Sequence, residues 1–188
     1  MSSAAQAQEA LLAEIAALRR GETVAPSFVG ARLIDVDLSG LSLMGTDLSG
    51  ANLSGADLTG TNLLGARLRG TILFGATLTD VEMTGADLTE ANLEGAKGER
   101  CGFGGADLTG AKMHGANLQY ASFTDAILAG AVCSAANLSH SRFRGADLTS
   151  VDFTRATLTH CDLYGTDVAG ARLLEADLRE STLAQMRG

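Results

Sequence analysis

The chain has 188 residues, with 14 Lys and Arg against 22 Asp and Glu, a formal net charge of −8 and a pI near 4.8. One domain is the default at this length, and an acidic surface is a poor match for a nucleic-acid backbone; it suits basic partners or simple solubility. No run of about 18 apolar residues reads as a membrane span, and no secretory signal opens the chain, so the expected compartment is the cytoplasm.

Residues 1–21 read as a helix from about Ser3 to Arg20. Ser3-Ala4-Ala5-Gln6 fits a capping box, and Leu11, Leu12, Ile15 and Leu18 form one apolar stripe. Arg19 and Arg20 suit the negative end of the helix dipole, and Gly21 suits the position just beyond it. The helix is expected to cap the structure that follows; docking to a partner is the alternative. Residues 22–27, with Pro26, read as a linker.

From residue 28 to 185 one pattern takes over. In Thr46 to Leu68 every fifth residue is Leu: Leu48, Leu53, Leu58, Leu63, Leu68. Two before each stands a small residue, one before it a polar one, and Ser or Thr with Gly commonly follows. A period of five fits neither a helix nor a straight strand. It fits a short extended segment followed by a turn, because Gly accepts positive φ and Ser or Thr bonds locally. If each turn is about a right angle, four units close a square coil of about 20 residues. Such coils stack at roughly 4.8 Å and bury a core only by stacking.

Units such as Ala51-Asn52-Leu53-Ser54-Gly55 and Ala86-Asp87-Leu88-Thr89-Glu90 resemble the pentapeptide-repeat family, and the register runs unbroken through 32 units, from the centre at Phe28 to that at Leu183. The resemblance implies an all-β solenoid, a right-handed quadrilateral parallel β-helix of about eight coils, here with an N-terminal α-helix. Leu48, Leu88, Phe103, Phe123 and Phe143 should then lie in the core, the three Phe as a ladder. Asp substituted for Leu88 or Leu118 should disrupt folding, whereas Asp87→Ala should cost little. Gly98 is the one centre without a side chain; the Phe103 ring is expected to fill its place, a local kink being the alternative. Cys101, Cys133 and Cys161 read as small buried hydrophobes, Cys101 and Cys161 being roughly 14 Å apart, too far for a disulfide. Residues 186–188 form a tail. Either Met186 folds over the last coil, or that edge pairs with a second copy in a twofold homodimer through the C-terminal coils.

Three surface features stand out. One outward face carries Asp47, Arg67, Asp87, Asp107, Ile127, Asp147 and Asp167. The ordinary reading is a solvated face. The functional one follows the resemblance to acidic quinolone-resistance members of the family, which imitate duplex DNA and occupy the DNA saddle of type II topoisomerases; this chain lacks their long C-terminal dimerisation helix and projecting loops. The second feature is a turn column reading Gly40, Gly60, Asp80, Arg100, Tyr120, His140, His160, Glu180, with Arg142 and Asp162 beside it. It reads as a surface ladder or as a recognition edge. A metal site on His140, His160 and Asp162 is the weakest reading, since exposed His neighbours rarely offer the set zinc needs. Third, Met44 and Leu64 form an outward apolar column, with Ile34, Ile72 and Phe74 expected on a neighbouring face and the helix stripe over part of them.

No phosphate-cradling loop or metalloprotease motif is present, and a solenoid without a concave pocket is a poor enzyme scaffold. The expected function is a non-enzymatic interaction or scaffold protein without cofactor, metal, direct nucleic-acid or membrane contact. Its partner is an unknown protein, with a basic surface as one option; a DNA-mimicking topoisomerase modulator is the alternative.

Overall fold

A computed structural model describes residues 3–21 and 27–188. Helix α1 spans Ser3–Arg19, one residue short of the expected end. The Ser3–Gln6 capping contact and the linker up to residue 26 lie outside what is described. From Ser27 on, residue i bridges residue i+20 in parallel, in an unbroken series from Ser27↔Asp47 to Asp167↔Arg187. Each unit is one bridged residue followed by a turn, so four units make one coil. Residues five apart lie on adjacent faces and residues ten apart on opposite ones. The four faces are named by their centres: first (Leu33, Leu53), second (Leu38, Leu58), third (Leu43, Leu63) and fourth (Leu48, Leu68).

Backbone hydrogen bonding explains the motif one position at a time. In the unit Ala51–Gly55, Ala51 N–H closes the preceding turn onto Leu48 O (2.9 Å), Asn52 N–H donates back to Ala31 O (2.8 Å), and Leu53 and Gly55 N–H donate forward to Ile72 O and Phe74 O (2.7 and 2.9 Å). One N–H remains, that of Ser54, and the Asn52 side chain accepts it at 3.0 Å. Where an Asp or Asn such as Asn52 precedes the centre, its side chain can thus satisfy the one donor the ladder leaves over. The last residue of all 32 units, glycine or not, has φ between 55° and 71°. Only the second turn residue is left-handed, as in a type II turn, and this is the position glycine fills without strain.

Inward side chains form one continuous core. Leu48, Leu88, Phe103, Phe123 and Phe143 are fully buried. The three Phe rings stack in parallel, 4.9 and 4.8 Å apart, as expected. The thiols Cys101, Cys133 and Cys161 are free and buried, and burial pushes all three above their ordinary range, Cys101 to about 12 and Cys161 to about 11.

Three expectations need correction. The space left by Gly98 is filled by Cys101, not by Phe103: a Cβ on Gly98 would lie 2.5 Å from Cys101 Sγ and 2.8 Å from Leu78 Cβ. Phe103 is held in its own ladder, which cannot bend toward Gly98 without breaking the stack. Met186 does not fold over Leu183, which is 48% exposed. Instead the chain stays in register to the Asp167↔Arg187 bridge, so Met186 packs at an inward position. Lastly, the stripe of α1 does not lie as one buried face over the outward apolar residues. Ile15 is buried, Leu11 and Leu18 pack on the core and Leu12 faces outward. Arg19 fixes the helix end, donating to Asp37 O (2.9 Å) and pairing with the Asp37 carboxylate (2.8 Å).

Candidate functional site

The corner between the second and third faces differs from the other three. Fourteen non-glycine residues occupy the left-handed turn position, and six of them, Asp80, Arg100, Tyr120, His140, His160 and Glu180, succeed one another in this one column, at φ 56–61°. Side chains with a Cβ resist this conformation by about 1 kcal/mol each. Backbone strain gathered in one place is a pointer to function.

The column is ordered along its length. Arg100 donates to both carboxylate oxygens of Asp80, at 2.7 and 2.9 Å. That bond, with the attendant charge, lowers the Asp80 pKa and raises that of Arg100. The Tyr120 and His140 rings stack at 4.7 Å, and His140 and His160 at 4.6 Å. His160 Nδ1 lies 3.3 Å from a Glu180 carboxylate oxygen. Parallel rings at the coil spacing are what a 20-residue repeat produces when aromatic residues recur at one register position.

Behind this corner a set of buried hydroxyls and thiols ties coil to coil. Thr61 Oγ1 donates to Leu38 O at 2.8 Å, Cys101 Sγ to Leu78 O at 3.0 Å and Cys161 Sγ to Leu138 O at 3.1 Å. Ser141 Oγ enters a turn: it accepts from Ala121 N–H at 3.2 Å and donates to Leu118 O at 3.1 Å. Ser181 Oγ does the same between Cys161 N–H, at 2.9 Å, and Leu158 O. The exposed ladder therefore stands on a stiff, satisfied support.

Alongside it runs an open groove of about 550 Å³, lined by Glu82, Arg100, Gly102, Tyr120, Ser122, His140 and Arg142 among others. Gly102 forms a dip, into which the Glu82 carboxylate folds; a Cβ there would lie 2.5 Å from it. The sequence reading placed Arg142 beside the column but missed Glu82, Ser122 and Gly102. Their signal was present: they precede the third-face centres by one residue, two beyond the turn column and in the same coil register as Arg142.

The acidic face has a structural explanation. Asp47, Asp87, Asp107, Asp147 and Asp167 each accept the N–H two residues on, at 2.9–3.0 Å. Arg67 pairs with Asp47 at 3.1 Å, and Ile127 interrupts the run. The Asp47 pKa is lowered chiefly by its Ser49 hydrogen bonds and then by Arg67.

The apolar patch is not one patch. Met44 and Leu64 follow third-face centres whereas Phe74 follows a first-face centre, and units ten residues apart lie on opposite sides of a 20-residue coil. Met44 and Phe74 are 54% and 55% exposed, so α1 does not cover them. Among the described residues no group of three His, Cys, Asp or Glu is placed to hold a metal ion, and no helix is long and apolar enough to cross a membrane.

Comparison with known proteins agrees with this geometry. The family model for a pentapeptide repeat region matches residues 96–173, and that for pentapeptide repeats (8 copies) matches 27–63, 51–89 and 62–97. No curated protein matches the chain. Among solved structures, HetL, a pentapeptide repeat protein involved in heterocyst differentiation regulation in the cyanobacterium Nostoc sp. strain PCC 7120, is 30% identical over 82% of this chain and 78% of its own, with a TM-score of 0.63. A pentapeptide repeat protein of the Arabidopsis thaliana thylakoid lumen is 26% identical over 68% of each chain, with a TM-score of 0.34. QnrB1, a plasmid-mediated fluoroquinolone resistance protein, is 22% identical over 85% of this chain and 87% of its own, with a TM-score of 0.37. The last two superpose too loosely for any surface to be carried across. With the repeat models spanning most of the chain and HetL sharing its solenoid, the chain belongs to the pentapeptide-repeat family.

Proposed function

We propose that the protein is a non-enzymatic interaction scaffold whose contact surface is the corner carrying Arg100, Tyr120, His140 and His160. One observation supports this above the rest: six successive turns use strained non-glycine residues where glycine would be easier, and their side chains form an ordered, outward ladder. Replacing Tyr120, His140 and His160 together by Gly tests it. Glycine suits the backbone there, so the fold survives. A partner recovered with the wild-type protein should be lost with the triple variant; a partner retained in full would move the contact surface elsewhere. The three free, buried thiols suit a reducing compartment such as the cytoplasm.

Two further readings each have an observation behind them. Asp87 beside Asp107 and Asp147 beside Asp167 give paired carboxylates at coil spacing, the feature that DNA mimicry toward a type II topoisomerase would use. A gyrase supercoiling assay with and without the purified protein decides it, and reversal of Asp87, Asp107 and Asp147 to Lys should abolish any effect. The last coil exposes Leu173, Leu174 and Leu183, which favours a twofold homodimer through that end.

A further inference from the structure

We infer that the middle of the corner ladder is a docking site for a carboxylate-bearing segment of a partner protein, an Asp or Glu side chain set between Tyr120, His140 and Arg142. The inference rests on the corner being the contact surface and adds the chemistry of what it contacts. The two ends of the ladder already hold carboxylates of this chain. Asp80 is gripped by Arg100 through two hydrogen bonds of 2.7 and 2.9 Å, and Glu180 lies 3.3 Å from His160 Nδ1. Between them, among the described residues, the Tyr120 hydroxyl, the His140 ring nitrogens and the Arg142 guanidinium have no hydrogen-bond or ion-pair partner. The same donor chemistry that is filled at both ends is therefore open in the centre, beside the groove.

The neighbouring acids are committed. The Glu82 carboxylate accepts from Thr84 N–H (3.1 Å) and from the Thr84 hydroxyl. Asp162 accepts the Tyr164 N–H at 3.0 Å. The next cation, Arg144, lies over the Tyr164 ring, 4.6 Å from its centre, and pairs with no carboxylate among the described residues. A protein of net charge −8 thus presents a local positive site at Arg142 and Arg144. A guanidinium beside an imidazole or phenol edge suits a carboxylate. The ladder does not suit a nucleic-acid base: the inner ring faces are already covered by one another at 4.6–4.7 Å, leaving mainly edges to bind with.

The experiment titrates fluorescein-labelled Gly/Ser peptides, carrying several glutamates, several lysines or neither, into the full chain and follows anisotropy. The glutamate peptide should bind and the other two should not. Arg142→Glu should weaken it about tenfold or more, while Lys112→Glu on the first face, an equal change in net charge, should leave it unaltered. His140→Gly, at a backbone position glycine prefers, should weaken it too and guards against loss through misfolding. Equal or tighter binding of the lysine peptide, no binding of the glutamate peptide, or indifference to Arg142→Glu overturns the inference. If the lysine peptide binds and is lost on His140→Gly, the corner stands as a contact surface and only its charge preference is wrong. The triple-glycine partner test decides the contact surface separately.

Discussion

The two ends of the solenoid carry the same repeat and behave differently. In the first coil Phe28, Leu33, Leu38 and Leu43 are buried, because α1 lies over them and the next coil lies beneath. In the last coil Val168 and Leu178 are half-buried, while Leu173 and Leu183 are 38% and 48% exposed. All of these point along the same inward register. An inward direction is therefore not burial: in a stacked fold each coil is dry only when something covers both of its sides. One end uses a helix for that, and the other presents apolar side chains and the backbone N–H groups of Leu173, Leu178 and Leu183, which make no backbone hydrogen bond among the described residues.

The largest expected effect separates position in the stack from residue type. Leu88→Asp puts an unpaired charge in a fully buried site and should destabilise by roughly 5 kcal/mol or more, enough to abolish folding. Leu183→Asp, at the same motif position on the open end, should cost under about 1 kcal/mol. Urea unfolding of the two variants measures the difference; similar losses would mean that the last coil is covered in solution.

The covered end is tested on the helix. Ile15 is buried and Leu12, three residues away, is exposed. Ile15→Ala should cost about 2 kcal/mol and Leu12→Ala less than about 0.5 kcal/mol. In hydrogen exchange the loss should be confined to the first coils, since each coil depends mainly on its neighbours. A uniform loss of protection would show the solenoid to unfold as one unit.

The open end is tested by mass in solution. A twofold dimer should appear at micromolar concentration and dissociate on Leu178→Arg, which places a charge in the contact. A strict monomer indifferent to that change would rule out the dimer.

What could be read from the sequence follows from what a five-residue period encodes. The inward centres, the Phe103–Phe123–Phe143 ladder and the odd turn column all depend on that register alone, and register is visible residue by residue; the helix, outside the pentads, shows by its own apolar stripe and terminal residues. Contacts that depend on which of two inward residues is nearer were not visible, hence Cys101 rather than Phe103 beside Gly98. Phe74 reads as lying on a face next to the Met44 column, whereas a coil of four units puts the two on opposite sides. The role of the stripe aspartates was hidden for another reason. A carboxylate on a surface reads as solvated until the one unpaired N–H of the unit is counted.

That count changes the expected cost of Asp87→Ala. Thr89 N–H donates to Asp87 at 3.0 Å, so its removal leaves a half-buried donor with only water to bind. The expected loss is about 1 kcal/mol, and Asp87→Asn, which keeps the acceptor, should recover most of it. Thermal unfolding of the pair measures this; equal losses would assign the effect to charge instead.

The smallest effect concerns how the covered end is fastened. Asp37 accepts the Ser39 hydroxyl and the Ser39 N–H, and it pairs with Arg19 at the end of α1. Its pKa is lowered from the ordinary 3.8, first by the two Ser39 hydrogen bonds and then by Arg19. A carboxylate whose folded pKa lies below its unfolded one contributes its stability in full above the unfolded value, and that contribution disappears as pH falls through the folded value. Below pH 3.8 the attachment of α1 should therefore weaken first at Asp37, while the Leu and Phe core, which carries no titratable group there, is unaffected. Exchange of the first-coil amides of Leu33 and Leu38, compared with those of Leu88 and Leu93 at mid-column, should rise selectively as pH falls from 5 to 3. Asp37→Asn retains the bonds to Ser39 without a titrating group, and its first-coil protection should be flat with pH. If wild-type and variant lose protection in parallel, the helix is held by Ile15 and its apolar neighbours alone, and the Arg19–Asp37 pair adds nothing to the cap.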